Sequence, residues 1–219
     1  MTGTAFSPGQ MAELSSSVNA ALAVALPNAA AKLGDPKAVL AGVKDKTAVL
    51  AERLQAALEN VIKSMMVLIR RPQLSITITD SDHRNPGAFF KTRDGLYVWD
   101  DFKSCVAKKA KPVDTGTTIK VNVDELGTSL SDKEIENGLP KNHIWDEGVL
   151  CAVIAEMISK QEGGKEGDLL NNGYANLFYT SSCVVNVDRY ADNSRWAVST
   201  WHRGGDRWSA GARVLSPAN

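Results

Sequence analysis

The stretch Cys183-Val184-Val185-Asn186-Val187-Asp188-Arg189-Tyr190 decides how the final third of this chain is read. On a strand, successive side chains leave opposite faces of the sheet. Val185 and Val187 then point one way, and Asn186, Asp188 and Tyr190 the other. Trp196 to Trp201 repeats the pattern, with Val198 opposed to Ala197 and Ser199. Ala175 to Tyr179 and Trp208 to Leu215 read as flanking strands. Their separators, Ser181-Ser182, Ala191 to Ser194 and Gly204-Gly205-Asp206, suit tight turns, so an antiparallel β meander is expected. One face supplies valines to a core. The other shows small or polar residues beside Trp, Arg and Tyr.

The composition of this segment is biased. From Thr180 to Asn219 there is no Lys, Glu, Gln, Met, Ile or Phe. Its charges are Arg189, Arg195, Arg203, Arg207 and Arg213 with Asp188, Asp192 and Asp206, and it holds Trp196, Trp201 and Trp208 of the five tryptophans. Rigid aromatics among Arg, Tyr, Ser, Gly and Asn are the vocabulary of a binding surface. The tail therefore reads as a recognition surface rather than a catalytic site.

Working upstream, Asp146 is placed to cap a helix with Val149, Leu150, Val153, Ile154, Met157 and Ile158 on its apolar face, ended by Gly163-Gly164. Ser131 with Glu134 forms a capping box for a shorter helix. Thr117 to Val123 and Leu74 to Thr79 alternate as strands. Phe89 to Arg93 and Leu96 to Trp99 read as a β-hairpin around Asp94-Gly95, and Asp100 and Asp101 cap a helix running to about Ala110. Before Pro72 the period is helical. Residues 9–33 carry a weak apolar stripe, and Asp35-Pro36 restarts the helix. Leu40, Val43, Thr47, Leu50, Leu54, Leu58, Val61, Met65 and Leu68 make a heptad-like seam that Arg70-Arg71-Pro72 ends. This second helix either folds back on the first as a hairpin or self-associates as a stalk, which makes residues 36–70 the candidate homo-oligomer contact. The expected architecture is α+β: a helical region over 1–71, then a mixed α/β ligand-binding domain over 72–219.

The 219 residues suffice for one good core with an extension. A formal net charge of zero gives no global field toward nucleic acid or anionic membrane. The most apolar run, Val61 to Ile69, is far shorter than the ~20 residues of a membrane span, and the polar start lacks a secretory pattern, so a cytoplasmic or virion-associated protein is expected. Cys105, Cys151 and Cys183 are an odd number without metal-ligand spacing and read as interior thiols. Asp80, Asp82 and His83 share one polar loop, where a solvated turn is the expected reading over a divalent-cation site. Lys108, Lys109 and Lys111 read as a solvated helix end. His143 belongs to a helix entry loop. No nucleophile-elbow, P-loop, zincin or dinucleotide motif is present. No catalytic residue, metal site or cofactor is expected.

A codon argument fits the tail's bias. Changing only the adenines of an Asn codon such as AAC reaches Asp, Ser, Gly, Ala, Arg, His, Tyr, Cys, Val, Thr and a few more, but never Lys, Glu, Gln, Met or Trp. The run Leu-Leu-Asn-Asn-Gly-Tyr-Ala-Asn-Leu-Phe-Tyr (169–179), then Val-Val-x-Val, then the Trp-rich stretch ending Trp208-Ser-Ala-Gly-Ala-Arg-Val-Leu-Ser-Pro217, resembles the C-terminal region of variable proteins of diversity-generating retroelements, in particular those of candidate-phylum bacteria. In such systems an error-prone reverse transcriptase mutates template adenines and writes the copy into the 3′ end of the target gene. The resemblance covers about residues 140–219 and implies a non-enzymatic ligand-display protein, often C-type-lectin-like in fold. Carried over, the varied positions within 183–214 would be Asn186, Asp188, Tyr190, Asp192, Asn193, Arg195, Ala197, Ser199, His202, Gly204, Asp206, Ser209 and Ala212. Trp196, Val198, Trp201, Trp208, Gly211, Arg213 and Val214 would be scaffold. The implied partner is a protein or other macromolecule. The alternative is a binder of single-stranded nucleic acid or glycan with fixed specificity, since exposed Trp and Arg stack bases and sugars alike.

Overall fold

The structure, a computed structural model, describes residues 12–13, 15–20, 23–24, 49, 52–53, 67–79, 85–190, 192, 194–205 and 207–218. The chain divides into units 1–62 and 63–219. In the first unit the described residues are helical. The heptad seam up to Met65, and with it the choice between hairpin and stalk, lies outside the described residues.

The second unit opens with β1 (Leu68–Thr77). This corrects the expected helix through Leu68 to Arg71, which is strand. Pro72 sits inside β1 at a register shift between Arg71 and Leu74, where a residue without an N–H is tolerated. Asp80, Asp82 and His83 lie outside the described residues. Next come α1 (Pro86–Phe89), β2 (Leu96–Val98) and α2 (Asp100–Phe102), the last continuing into a π-helical turn (Lys103–Ala107). The expected hairpin is half right. Gly95, at φ +75, makes the turn, and Arg93 bridges Leu96. Phe89 and Phe90, however, belong to a helical turn rather than a strand. Consecutive strand residues point to opposite faces, and both of these rings are buried together, Phe90 lying 4.9 Å from Phe102. β2 pairs instead in parallel with the distant β7 (Arg195–Trp201).

β3 (Thr118–Leu126), β4 (Leu130–Ser131), α3 (Asp132–Gly138) and α4 (Glu147–Lys160) follow. The capping box of α3 forms: Ser131 N donates to Glu134 Oε2 at 2.8 Å, and Glu134 N donates back to the Ser131 hydroxyl. Asp146 caps α4 by accepting from the amides of Gly148 and Val149. The tail adds β5 (Asn176–Tyr179), β6 (Val184–Tyr190), β7, β8 (Arg207–Trp208) and β9 (Arg213–Pro217).

Seven strands form one sheet in the order β1-β3-β9-β5-β6-β7-β2, antiparallel except at β9–β5 and β7–β2. The expected meander holds for β5, β6 and β7. Its fourth strand does not exist as one piece. Arg207–Trp208 leaves to pair with β4 in a two-stranded ribbon, and β9 returns on the far side of β5, next to β3. Gly211, at φ +89, lies between them and takes a backbone turn closed to most side chains.

The sheet separates two cores. On its inner face α4, buried almost all round, packs with Phe89, Phe90, Phe102, Val106, Val121, Val185, Val187, Trp196 and Val198. On the outer face α3 and the β4–β8 ribbon cover Leu126, Leu177, Tyr179, Val184, Ala212 and Val214 with Ile135 and Trp208. Cys105 is half-buried, Cys151 and Cys183 are buried, and all three are free thiols. Burial pushes the Cys151 thiol far up, so it packs as a small apolar group. Among the described residues no helix is long and apolar enough to cross a membrane.

Candidate binding face

The tail loop is tied down by one buried carboxylate. Asp132, 1 % exposed at the start of α3, accepts from Tyr179 Oη, Trp208 Nε1 and the Gly204 amide, each at 2.8 Å. Burial first, and the Asp132 bond second, hold the Tyr179 phenol far above its ordinary value, so it stays a neutral donor. Arg203 forks onto Glu136 (Nε 3.0 Å, Nη2 2.8 Å) and donates to the carbonyls of Thr180 and Ser181. Arg207 donates to Ser129 O at 2.7 Å and faces Glu134. The loop over 163–176 is held from the inside. Gln161 accepts from Leu169 N and donates to Lys165 O and Leu169 O, while Asn176 grips Leu170 and Val187.

The outer face over β6, β7 and β2 is partly open: Tyr190 and Trp201 are exposed and Asp188 and Ser199 half-buried, while Val184, Asn186 and Ala197 are buried. Register sets its rows. Val184 lies beside Trp201, Asn186 beside Ser199, Asp188 beside Ala197, and Tyr190 beside Arg195. Tyr97 of β2 lies beside Ala197, and Trp99 follows two residues on along the same side. Trp99, Tyr190 and Trp201 are 44 %, 40 % and 46 % exposed. Tyr190 stands at the Arg195 end of β7 and Trp201 at the other, so the exposed aromatics frame the face rather than fill it. The Tyr97 and Trp99 rings meet edge to face at 5.3 Å, as do Trp201 and Trp208 at 5.9 Å. Between these aromatics the side chains on this side of the sheet are Asn186, Asp188, Ala197 and Ser199, of which Asp188 and Ser199 reach the surface.

Electrostatically the face is nearly neutral. Arg195 stacks its guanidinium 4.7 Å over Tyr97. The other tail arginines serve the fold: Arg203 and Arg207 through α3, Arg189 by donating to Gly163 O while lying over Trp196, and Arg213 by donating to Asp168 O. Asp188 is half-buried. Burial raises its pKa, and the Asn186 side chain with its own backbone amide are what oppose the shift. Tyr190 is likewise raised, by burial first and by Asp188 second.

The structure places Asp188, Tyr190, Arg195 and Ser199 together on this face. Asp192, His202, Gly204 and Ser209 are exposed in the turns at its ends. Asn186 is 7 % exposed and lies beneath the face, and Ala197 and Ala212 are each 1 % exposed. Ala212 belongs to the core under α3 rather than to the open surface. Asn193 and Asp206 lie outside the described residues. Of the scaffold set, Trp196 and Trp208 are buried and Arg213 is half-buried, whereas Trp201 stands on the surface. Sequence reading missed Tyr97 and Trp99, about a hundred residues upstream. Their signal was the alternation Leu96-Tyr97-Val98-Trp99, which sets both aromatics opposite to the core residues. Among the described residues no group of His, Cys, Asp and Glu could hold a metal ion.

No family model matches the chain, nor does any curated protein or solved structure.

Proposed function

We propose that this chain is a non-enzymatic ligand-binding protein whose open outer face is the display surface, diversified by adenine-directed mutagenic retrohoming. The observation that carries this reading is the division of labour in β6 and β7. The polar positions carried over as varied, Asp188, Tyr190, Arg195 and Ser199, lie on the outer face, while Val185, Val187, Trp196 and Val198 fill the inner core. Such a division lets side chains change on one side of a sheet without disturbing the packing on the other. The C-type-lectin-like reading of the fold belongs to the same proposal. It is supported by β9, which returns the chain to the middle of the sheet begun by β1 and β3, so that the varied segment is anchored at both ends. The ligand is a protein or another macromolecule. The test is to read the codons of residues 183–214 and search the flanking DNA for a near-identical copy. A copy that differs where it carries adenines, near a reverse-transcriptase gene, is expected. A flanking region without either overturns the diversification.

The second reading, a glycan binder of fixed specificity, is favoured by the exposure of Trp99 and Trp201, which suits stacking on sugar rings. The nucleic-acid version has less support. Arg195 is the one tail arginine on the face, and a phosphate backbone asks for several cations.

A further inference from the structure

Resting on the reading of the outer face as the ligand surface, we propose that it engages a protein ligand through a cationic side chain, an arginine or lysine, seated at Asp188. Three observations point there. First, Asp188 is half-buried in the middle of the face and has no cationic partner among the described residues. Its one positively charged neighbour on the face, Arg195, leans away onto Tyr97. A desolvated carboxylate without a counter-charge is costly, and a ligand cation would relieve that cost. Second, Asn186, two residues before it on the same side of β6, is more than nine-tenths buried, and its Oδ1 has no hydrogen-bond partner. Asn186 spends its amide on Asp188. Asp188 thus has neutral donors but no cation, and the buried Asn186 Oδ1 beside it is an acceptor left unmet, which suits a group with several N–H donors. Third, the walls are aromatic. Tyr97 already carries one guanidinium at 4.7 Å. Trp99, just past β2 and next along the face from Tyr97, is exposed and offers further ring surface to a second.

The test selects binders from a random peptide display library on three full-length chains: the natural one, Asp188→Asn, and Ser199→Arg, which places a long side chain in the middle of the face. The natural chain is expected to enrich peptides with a shared Arg or Lys, and Asp188→Asn to lose that enrichment. Replacing the shared basic residue of a selected peptide by citrulline, the neutral counterpart of arginine, should weaken binding about tenfold or more, the size of a charge-assisted hydrogen bond lost. This arm changes only the ligand, so it holds even where a protein variant folds poorly. Enriched peptides without a shared cation, equal affinity for the citrulline peptide, or no enrichment at all would overturn the cation proposal. Peptides whose binding survives Ser199→Arg bind elsewhere and would sink the ligand-surface reading itself.

Discussion

Asp132→Ala should destabilise the second unit more than any single change on the open face. The carboxylate accepts three donors at 2.8 Å, from Tyr179, Trp208 and Gly204. Tyr179 is 1 % and Trp208 9 % exposed, so neither the phenol nor the indole N–H finds ready water when its acceptor goes. Gly204 is exposed and its amide can turn to solvent. Two buried donors left unmet cost roughly 1–3 kcal/mol each. The expected loss is about 2–6 kcal/mol, out of the 5–15 kcal/mol that hold a domain together. In urea, with a slope of about 2 kcal/mol/M, the midpoint should fall by roughly 1–3 M. Asp132→Asn is the informative companion. Its remaining oxygen can still serve Tyr179 and Trp208, but its NH2 meets the Gly204 amide, so it should lose about 1–2 kcal/mol and chiefly loosen the loop. Amide exchange over 201–205 should quicken in both variants. A loss below about 0.5 kcal/mol in the alanine variant, or equal damage from alanine and asparagine, would refute the view that this carboxylate ties the tail loop to the sheet.

Gly148→Ala separates propensity from packing. In an exposed helix the change would gain about 1 kcal/mol, but the added Cβ would stand 2.2 Å from the backbone oxygen of Lys111, so thermal unfolding should move down rather than up. Trp196→Ala should cost about 3–5 kcal/mol, as expected for an aromatic 1 % exposed. Trp201→Ala, on the open face, should cost well under half of that in the same urea titration; equal costs would mean that Trp201 is core. Asp188→Asn should stabilise the unliganded protein at neutral pH. Burial raises the Asp188 pKa in the folded state, so the fold binds the proton more tightly than the unfolded chain. The cost of the charged form is then present above the folded pKa and vanishes as pH falls below the ordinary carboxylate value near 3.9. The advantage of the asparagine variant should accordingly shrink as pH falls from 7 to below about 4, and an advantage that grows on acidification would contradict this sign.

The local signals in the sequence were reliable where one element decides its own shape. The Ser131–Glu134 box, the Asp146 cap and the alternation of β3 and β6 depend on neighbours within a few residues. Sequence reading failed where a remote partner decides. Leu68 to Arg71 continue the apolar spacing of a helix, yet β3 takes them as a strand, Leu68 facing Leu126 and Arg70 reaching Asp124 at 2.8 Å. Leu96–Val98 was legible as a strand but not as the parallel neighbour of β7, because nothing within the segment encodes a partner a hundred residues away. The open face was half legible for the same reason. Its β6 and β7 rows follow from alternation, while its Tyr97 and Trp99 rim depends on topology.

The charge pattern of the tail takes on a different meaning once its contacts are known. In sequence, an arginine-rich segment without glutamate reads as a recognition surface with few acidic partners of its own. In the fold, Glu136 and Glu134 of α3 answer Arg203 and Arg207, and Asp132 answers the loop amide. The complementary charges thus sit upstream, outside the segment proposed to vary. That arrangement has a physical consequence. If each tail arginine had its acidic partner inside the same segment, a change at either would leave the other desolvated and unpaired. With the partners on a separate helix, the anchoring contacts stay with α3 and the backbone of the loop, and the face over β6 and β7 can change residue by residue. Asp188 stands out against this order, as the tail carboxylate half-buried on the open face with no such answer from the rest of the described chain.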